Sequence, residues 1–111
     1  MARLPIYDPA RSFDSTSLTG SYQDLGSVLE SAAYGFVIFN DSDVSVQSSF
    51  DDGATNGPVI PAGGSFSDNR DNWDGRSEDS RYCLPGGAQV QVKQVTGAGT
   101  SGDIIFNVKR F

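Results

Sequence analysis

Histidine is missing from this 111-residue chain, and cysteine, methionine and tryptophan occur once each. Each scarcity removes a class of chemistry. Without histidine there is no Ser-His-Asp or Cys-His catalytic pair and no His-bound zinc or iron. With Cys83 alone, no intrachain disulfide can form, and the fold has to hold by packing. Cys83 also lacks the neighbouring base that turns a thiol into a nucleophile, and it reads as a packed thiol. Long apolar runs are missing too. The opening "MARLPIYDPARSFDSTS" has no signal-peptide core, and no window reaches the length of a membrane span. Only eight Lys and Arg stand against fourteen Asp and Glu, and nothing gathers the cations into a groove. Direct nucleic-acid binding is therefore disfavoured. The expectation is a chain assembled in a reducing cytoplasm, with no membrane and no nucleic acid as partner.

What the chain has instead is turn residues and alternation. Thirteen Gly and five Pro punctuate short apolar stretches at roughly ten-residue spacing. Residues 1–24 differ from the rest: Pro5, Pro9 and a Ser/Thr cluster carry no sustained period. They read as an extended N-terminal arm that orders against a partner or wraps its own domain. From residue 25 to 111 the pattern is a run of strands. "SVLE" is a weak first one. "YGFVIFN" is apolar on both faces, which predicts a strand central in its sheet or covered on both sides. "VSVQSSF", "AQVQVKQV" and "DIIFNVKRF" alternate as half-buried strands do. Asp41-Ser42-Asp43 reads as a short hairpin, and Asp52-Gly53 and Asn56-Gly57 as turns tolerant of positive φ. "PVIPAGGSFS" gives two short edge strands around a proline turn, and "RYCL" another short strand. The fold class is all-β: a single-domain β-sandwich or jelly roll of about eight short strands. The alternation predicts a core of Phe36, Ile38, Val44, Val46, Val90, Val92, Ile104, Phe106 and Val108.

Carboxylates remain as possible chemistry. Around Gly75 an EF-type calcium loop would need an acid where Arg70 stands and a final glutamate where Arg81 stands. Around Gly53, Phe50 falls at a ligand position. Both frames fail, though a calcium site of another kind at Asp41/Asp43 or Asp51/Asp52 stays open. "GGSFS" lacks the last glycine of a nucleophile elbow. A two-carboxylate glycosidase would need one acid in an apolar setting, and none is evident. Asn40-Asp41-Ser42 matches a glycosylation sequon, but no secretion signal gives it meaning. No cofactor or metal is called for.

Charge is unevenly spread. Residues 24–79 hold eleven acids against Arg70 and Arg76, while residues 80–111 hold four bases against Asp103. The most charged stretch is "DNRDNWDGRSEDSRY", Asp68 to Tyr82, which contains the only Trp. Its arginines interleave with its acids. That opposes a metal and makes local ion pairs available. Arg, Trp and Tyr are enriched at protein-contact hot spots. The candidate contact residues are therefore Arg70, Asp71, Trp73, Arg76, Arg81 and Tyr82. The competing reading is a solvated loop with Trp73 packed back on the core.

Taken with the polar arm, "FVIFNDSDVSVQSSFDDGATNGPVIPAGG" and "LPGGAQVQVKQVTGAGTSGDIIFNVKRF" resemble small virion proteins of tailed bacteriophages. The resemblance runs from about Tyr34 to Phe111. It lies in the hairpin before a strand ending in Asp-Gly, the Pro-Ala-Gly turn, the Val-x-Val-Lys strand and the final strand. Within that group the chain is similar to the capsid staple, or cement (decoration), proteins of phage epsilon 15 and its relatives. The resemblance implies a jelly-roll structural protein on the capsid exterior. Its partners would be the major capsid (coat) protein and a second copy of itself, as a dimer over a two-fold axis. Two other roles fit the same sequence: a head-tail connector or tail component, and a carbohydrate-binding module with Trp73 and Tyr82 as sugar platforms.

Overall fold

The computed structural model describes residues 6–69 and 83–110. Among them are nine strands, one 3-10 turn at Ser15–Ser17 and no α-helix. The strands are β1 (Ile6–Tyr7), β2 (Arg11–Asp14), β3 (Gln23–Asp24), β4 (Gly35–Ser42), β5 (Val46–Ser49), β6 (Val59–Ile60), β7 (Ser65–Asn69), β8 (Gln91–Gln94) and β9 (Gly102–Arg110). They form two antiparallel sheets. One has the order β1-β9-β4-β7, with β2 also paired to β9 beyond β1. The other has the order β3-β8-β5-β6. The all-β fold with two antiparallel sheets is the arrangement a β-sandwich requires.

The core lies between the sheets. Ile38, Ile104, Phe106 and Val108 from the first sheet are buried together with Val46, Ile60 and Val92 from the second and Val90 just before β8. Register brings them together. Ile38 lies opposite Phe106, and Phe36 opposite Val108, so alternate positions on β4 and β9 share one face. Phe36, Phe50, Phe66 and Phe106 make tilted or edge-on ring contacts with centroids 5.3–6.0 Å apart. Eight of the nine core residues expected from alternation are buried, and Val44 packs against the core from a half-buried position. Leu18, Leu25, Leu29, Ala33 and Leu84 complete it. They lie outside regular strands, where no period marks them.

"SVLE" is not a strand. Residues 25–33 instead run irregularly beside the stretch before β8. Leu25 N–H donates to Val90 O, Leu29 N–H to Ala88 O, and Ala33 N–H to Leu84 O. This gives the backbone its hydrogen bonds without a regular ladder.

Asp41-Ser42-Asp43 does not make a hairpin. β4 pairs with β9 and β7, while β5 pairs with β8 and β6, so this connection crosses between sheets. Asn40, 1% exposed, stands at the crossing. Its amide nitrogen donates to the carbonyls of Val44, Ile60 and Pro61 at 2.8, 2.9 and 3.1 Å. Its Oδ1 accepts from the Ser42 backbone and hydroxyl. The sequon asparagine is thus a buried joint, with its nitrogen fully engaged in the folded chain.

Two glycines show two different needs. Asp52 and Gly53 take φ of 60° and 83°, and Ala54 N–H donates to Asp51 O, as a type I′ turn requires. Gly57 has no positive φ. It is needed for space, since a Cβ there would lie 2.9 Å from Ser48 Oγ and 3.0 Å from the Phe50 ring.

Residues 6–24 carry β1, β2 and β3 and lie along their own domain. Arg11 faces Phe106 across the β2–β9 pair, with its guanidinium 5.8 Å from the ring centroid. Its Nε donates to Ser27 O at 3.0 Å. Asp8 joins this stretch to the end of β9: it accepts from Arg110 Nε at 2.8 Å and lies 3.5 Å from Arg11 Nη1. The long Arg11 stem supplies the burial that a polar segment otherwise lacks.

Candidate functional site

The contact residues expected from sequence, Arg70, Asp71, Trp73, Arg76, Arg81 and Tyr82, lie outside the described residues. The first half of the "RYCL" strand does too. Leu84 is described, and makes an isolated antiparallel bridge with Ala33. Cys83 is half-buried and its thiol donates to Tyr34 O at 3.4 Å.

Among the described residues, the two outer sheet faces differ in the size of their apolar area, a single open Val59 on one and a group around Phe39 on the other. On the outer face of the β3-β8-β5-β6 sheet, polar groups satisfy one another. Gln91 Nε2 donates to Asp24 Oδ1 at 2.8 Å. The Tyr22 hydroxyl meets Asn56 Oδ1 and Ser48 O, and Lys93 Nζ sits 4.6 Å from the Tyr22 ring centroid. Burial, with Asp51 beside it, raises the Tyr22 phenol above its ordinary pKa.

The outer face of the other sheet is built from positions that alternate with the core. Register places them in four rows across the strands. Asp14, Asp103 and Asp41 form the first row. Ser12, Ile105, Phe39 and Ser65 form the second, and Asn107, Val37 and Ser67 the third. Tyr7, Lys109, Gly35 and Asn69 form the fourth. Phe39 is 44% exposed and Tyr7 69%, while Ile105 and Val37 are half-buried. In the fourth row Lys109 Nζ reaches across Gly35 to Asn69 Oδ1 at 3.0 Å, beside a shallow depression that Tyr7 and Val37 also line.

This face was partly written in "YGFVIFN". The strand is central, between β9 and β7, but it is not covered on both sides: Phe36 and Ile38 are buried while Phe39 is open. Strand register, which sequence does not supply, brings Ile105 beside Phe39 and three aspartates into one row.

Chemistry at the remaining acids is local. Asp43 accepts from the Thr100 backbone at 3.0 Å and from the Thr100 hydroxyl, tying the β4–β5 connection to the β8–β9 turn. Asp14 caps the 3-10 turn by accepting from the Thr16 backbone at 3.0 Å. Asp51 accepts from Thr55 through backbone and hydroxyl, and from Ser49. Among the described residues no three His, Cys, Asp or Glu gather in a metal-binding group. Asp43 and Asp51 give their oxygens to neighbouring residues of this chain.

These bonds set an acid limit on stability. Hydrogen bonds from Thr100 hold Asp43 below the usual carboxylate pKa, those from Thr55 hold Asp51 down, and those from Thr16 hold Asp14 down. A folded pKa below the unfolded value stabilises above the unfolded pKa, and the gain is lost as pH falls through the folded one. The melting temperature is therefore expected to be level above about pH 5 and to fall as pH drops below the ordinary aspartate value of about 3.9. The Asp14→Asn/Asp43→Asn/Asp51→Asn variant should show a flatter fall. An equally steep fall in that variant would assign the acid transition to other groups.

No protein-family model, curated protein or solved structure matches this chain.

Proposed function

We propose that the chain is a bacteriophage virion structural protein: a non-enzymatic capsid cement or staple that binds the outside of the coat-protein lattice and stabilises the shell. The observation that carries this reading is the open apolar face of the β4–β9 pair, where Phe39 stands beside Ile105 and Val37. Such a face contributes little to folding while exposed and gains when a partner covers it.

The finer fold reading belongs to the same proposal. With β1 as an extension of β2, the orders β2-β9-β4-β7 and β3-β8-β5-β6 send the chain from sheet to sheet at almost every connection. That is the course of an eight-stranded jelly roll, an architecture used by viral capsid domains and lectins. Residues 1–24 are then the arm, whose described part pairs with β9 through β1 and β2 and with β8 through β3, leaving Ile6 and Tyr7 exposed.

A cement of this kind works by adding buried surface at joints between coat subunits. Each contact is small, and many copies act together. The chain is assembled in the host cytoplasm and retained on the capsid exterior, as a dimer where it lies over a two-fold axis.

Particle composition tests this. The chain should be present at a copy number that scales with coat subunits. A handful of copies per particle would mark a connector ring instead, and absence from particles would end the virion reading. Trp73→Ala should weaken particle binding by about 2 kcal/mol or more if Trp73 anchors the contact. If that variant melts early while its folded fraction binds normally, Trp73 belongs to the fold.

A further inference from the structure

We infer that the outer face of the β2-β9-β4-β7 sheet docks a basic protein surface, with an apolar projection over Phe39 and Ile105 and Lys or Arg side chains over the row Asp14, Asp103 and Asp41. The inference rests on reading the chain as a binding protein, and it names the chemistry of the partner.

Three observations meet on this face. The first is the exposed apolar centre. The second is the acidic row beside it. Asp14 faces Asp103 across β2–β9, and Asp41 faces Asp103 across β9–β4. All three are exposed. Directly opposed residues bring their Cβ atoms to about 4.5–5.5 Å, and like charges placed so work against the sheet. The cap on the 3-10 turn accounts for Asp14, but it does not account for Asp103 and Asp41, which stand opposed to each other beside it. A partner that supplies cations does. The third is contrast. On the opposite sheet the exposed carboxylate Asp24 is matched with Gln91, and Lys93 with the Tyr22 ring, as Asp14 is matched with Thr16; Asp41 and Asp103 instead face each other.

Charge decides between occupants. The face carries three aspartates and Lys109, which is already bonded to Asn69. A second copy would bring the same acidic excess, on a chain of net charge −6. Two such faces repel; a basic partner is attracted.

The test uses the full chain and a defined probe, the acetylated hexapeptide Leu-Lys-Leu-Lys-Leu-Lys amide, followed by backbone amide NMR. The Glu counterpart, with glutamate in place of each lysine, is the control. The lysine peptide should shift the amides around Phe39, Asp41, Asp103 and Ile105, the glutamate peptide should not, and added salt should weaken binding. Asp41→Asn/Asp103→Asn leaves the Asp14 cap in place. It should weaken peptide binding about tenfold while keeping or raising the melting temperature, because a repulsion has been removed. Phe39→Ser should weaken binding without loss of fold. Shifts spread over every acidic turn, or equal shifts from both peptides, would overturn the inference. So would a concentration-dependent dimer that Phe39→Ser abolishes and the Asn pair tightens, since the face would then take a second copy. Particle occupancy separates this from the function above: wild type on particles with both variants at normal occupancy sinks the face and spares the cement, while wild type missing from particles sinks the cement and leaves the peptide result to decide the face.

Discussion

Phe106→Ala is expected to lower the stability of the domain by about 3–5 kcal/mol. Phe106 is 1% exposed and heads the fully buried side chains by size. It lies in the core cluster between the sheets. Its ring meets Phe36 edge-on at 6.0 Å and lies under the Arg11 guanidinium. Removing the ring leaves a cavity between the sheets and takes away the surface on which Arg11 rests. Arg11 would then be held by Asp8 and the Ser27 carbonyl alone. Domains of this kind hold only about 5–15 kcal/mol in total. The variant should therefore melt far below wild type, with a urea midpoint reduced in proportion. Ile105, the next residue, points to the outer face, and Ile105→Ala should cost less than about 1 kcal/mol. If the two variants prove equally mild, the assignment of inner and outer faces on β9 is wrong.

Asn40→Leu should be nearly as damaging, for a different reason. Leucine is close in size and fits an apolar core. It would still take the amide donor from the carbonyls of Ile60 and Pro61, and leave the Val44 carbonyl and the Ser42 hydroxyl proton with only each other. Each buried acceptor left without its donor costs about 1–3 kcal/mol. A loss of about 3 kcal/mol or more is expected by denaturant titration, with acrylamide quenching or hydrogen exchange localising the loosening to the β4–β5 crossing. Asn40→Asp tests the donor directly. It keeps the shape and replaces the amide donor with an acceptor that faces three carbonyls, so it should be no milder than leucine at neutral pH. A variant within 0.5 kcal/mol of wild type, about the size of an ordinary surface change, would mean that the carbonyls find water instead.

Much of this fold was legible because it depends on side-chain period. Phe36 and Ile38, Val90 and Val92, and Ile104, Phe106 and Val108 stand at alternate positions, and a strand turns alternate positions to one face whatever lies beside it. Asp52-Gly53 was legible because its turn needs two residues at positive φ, a local demand met by local chemistry. Leu25, Leu29 and Leu84 were not. They reach the core from irregular backbone, where hydrogen bonds to distant carbonyls set direction and no period exists to read.

The candidate face divides the same way. That β4 is apolar on both sides is a property of seven consecutive letters. Which side is left open was settled by where the second sheet packs.

Sequence by itself determined an all-β chain without histidine chemistry or a disulfide, and it determined the inward residues of its best strands, because composition and a two-residue period act within each segment. Tertiary structure decided that β4 and β5 belong to different sheets, that Asn40 is a buried joint and no open sequon, and that Asp14, Asp103 and Asp41 stand in one row. These depend on pairing between segments up to about ninety residues apart. Pairing is chosen by the summed burial and backbone hydrogen bonding of the whole sandwich, which no single stretch encodes.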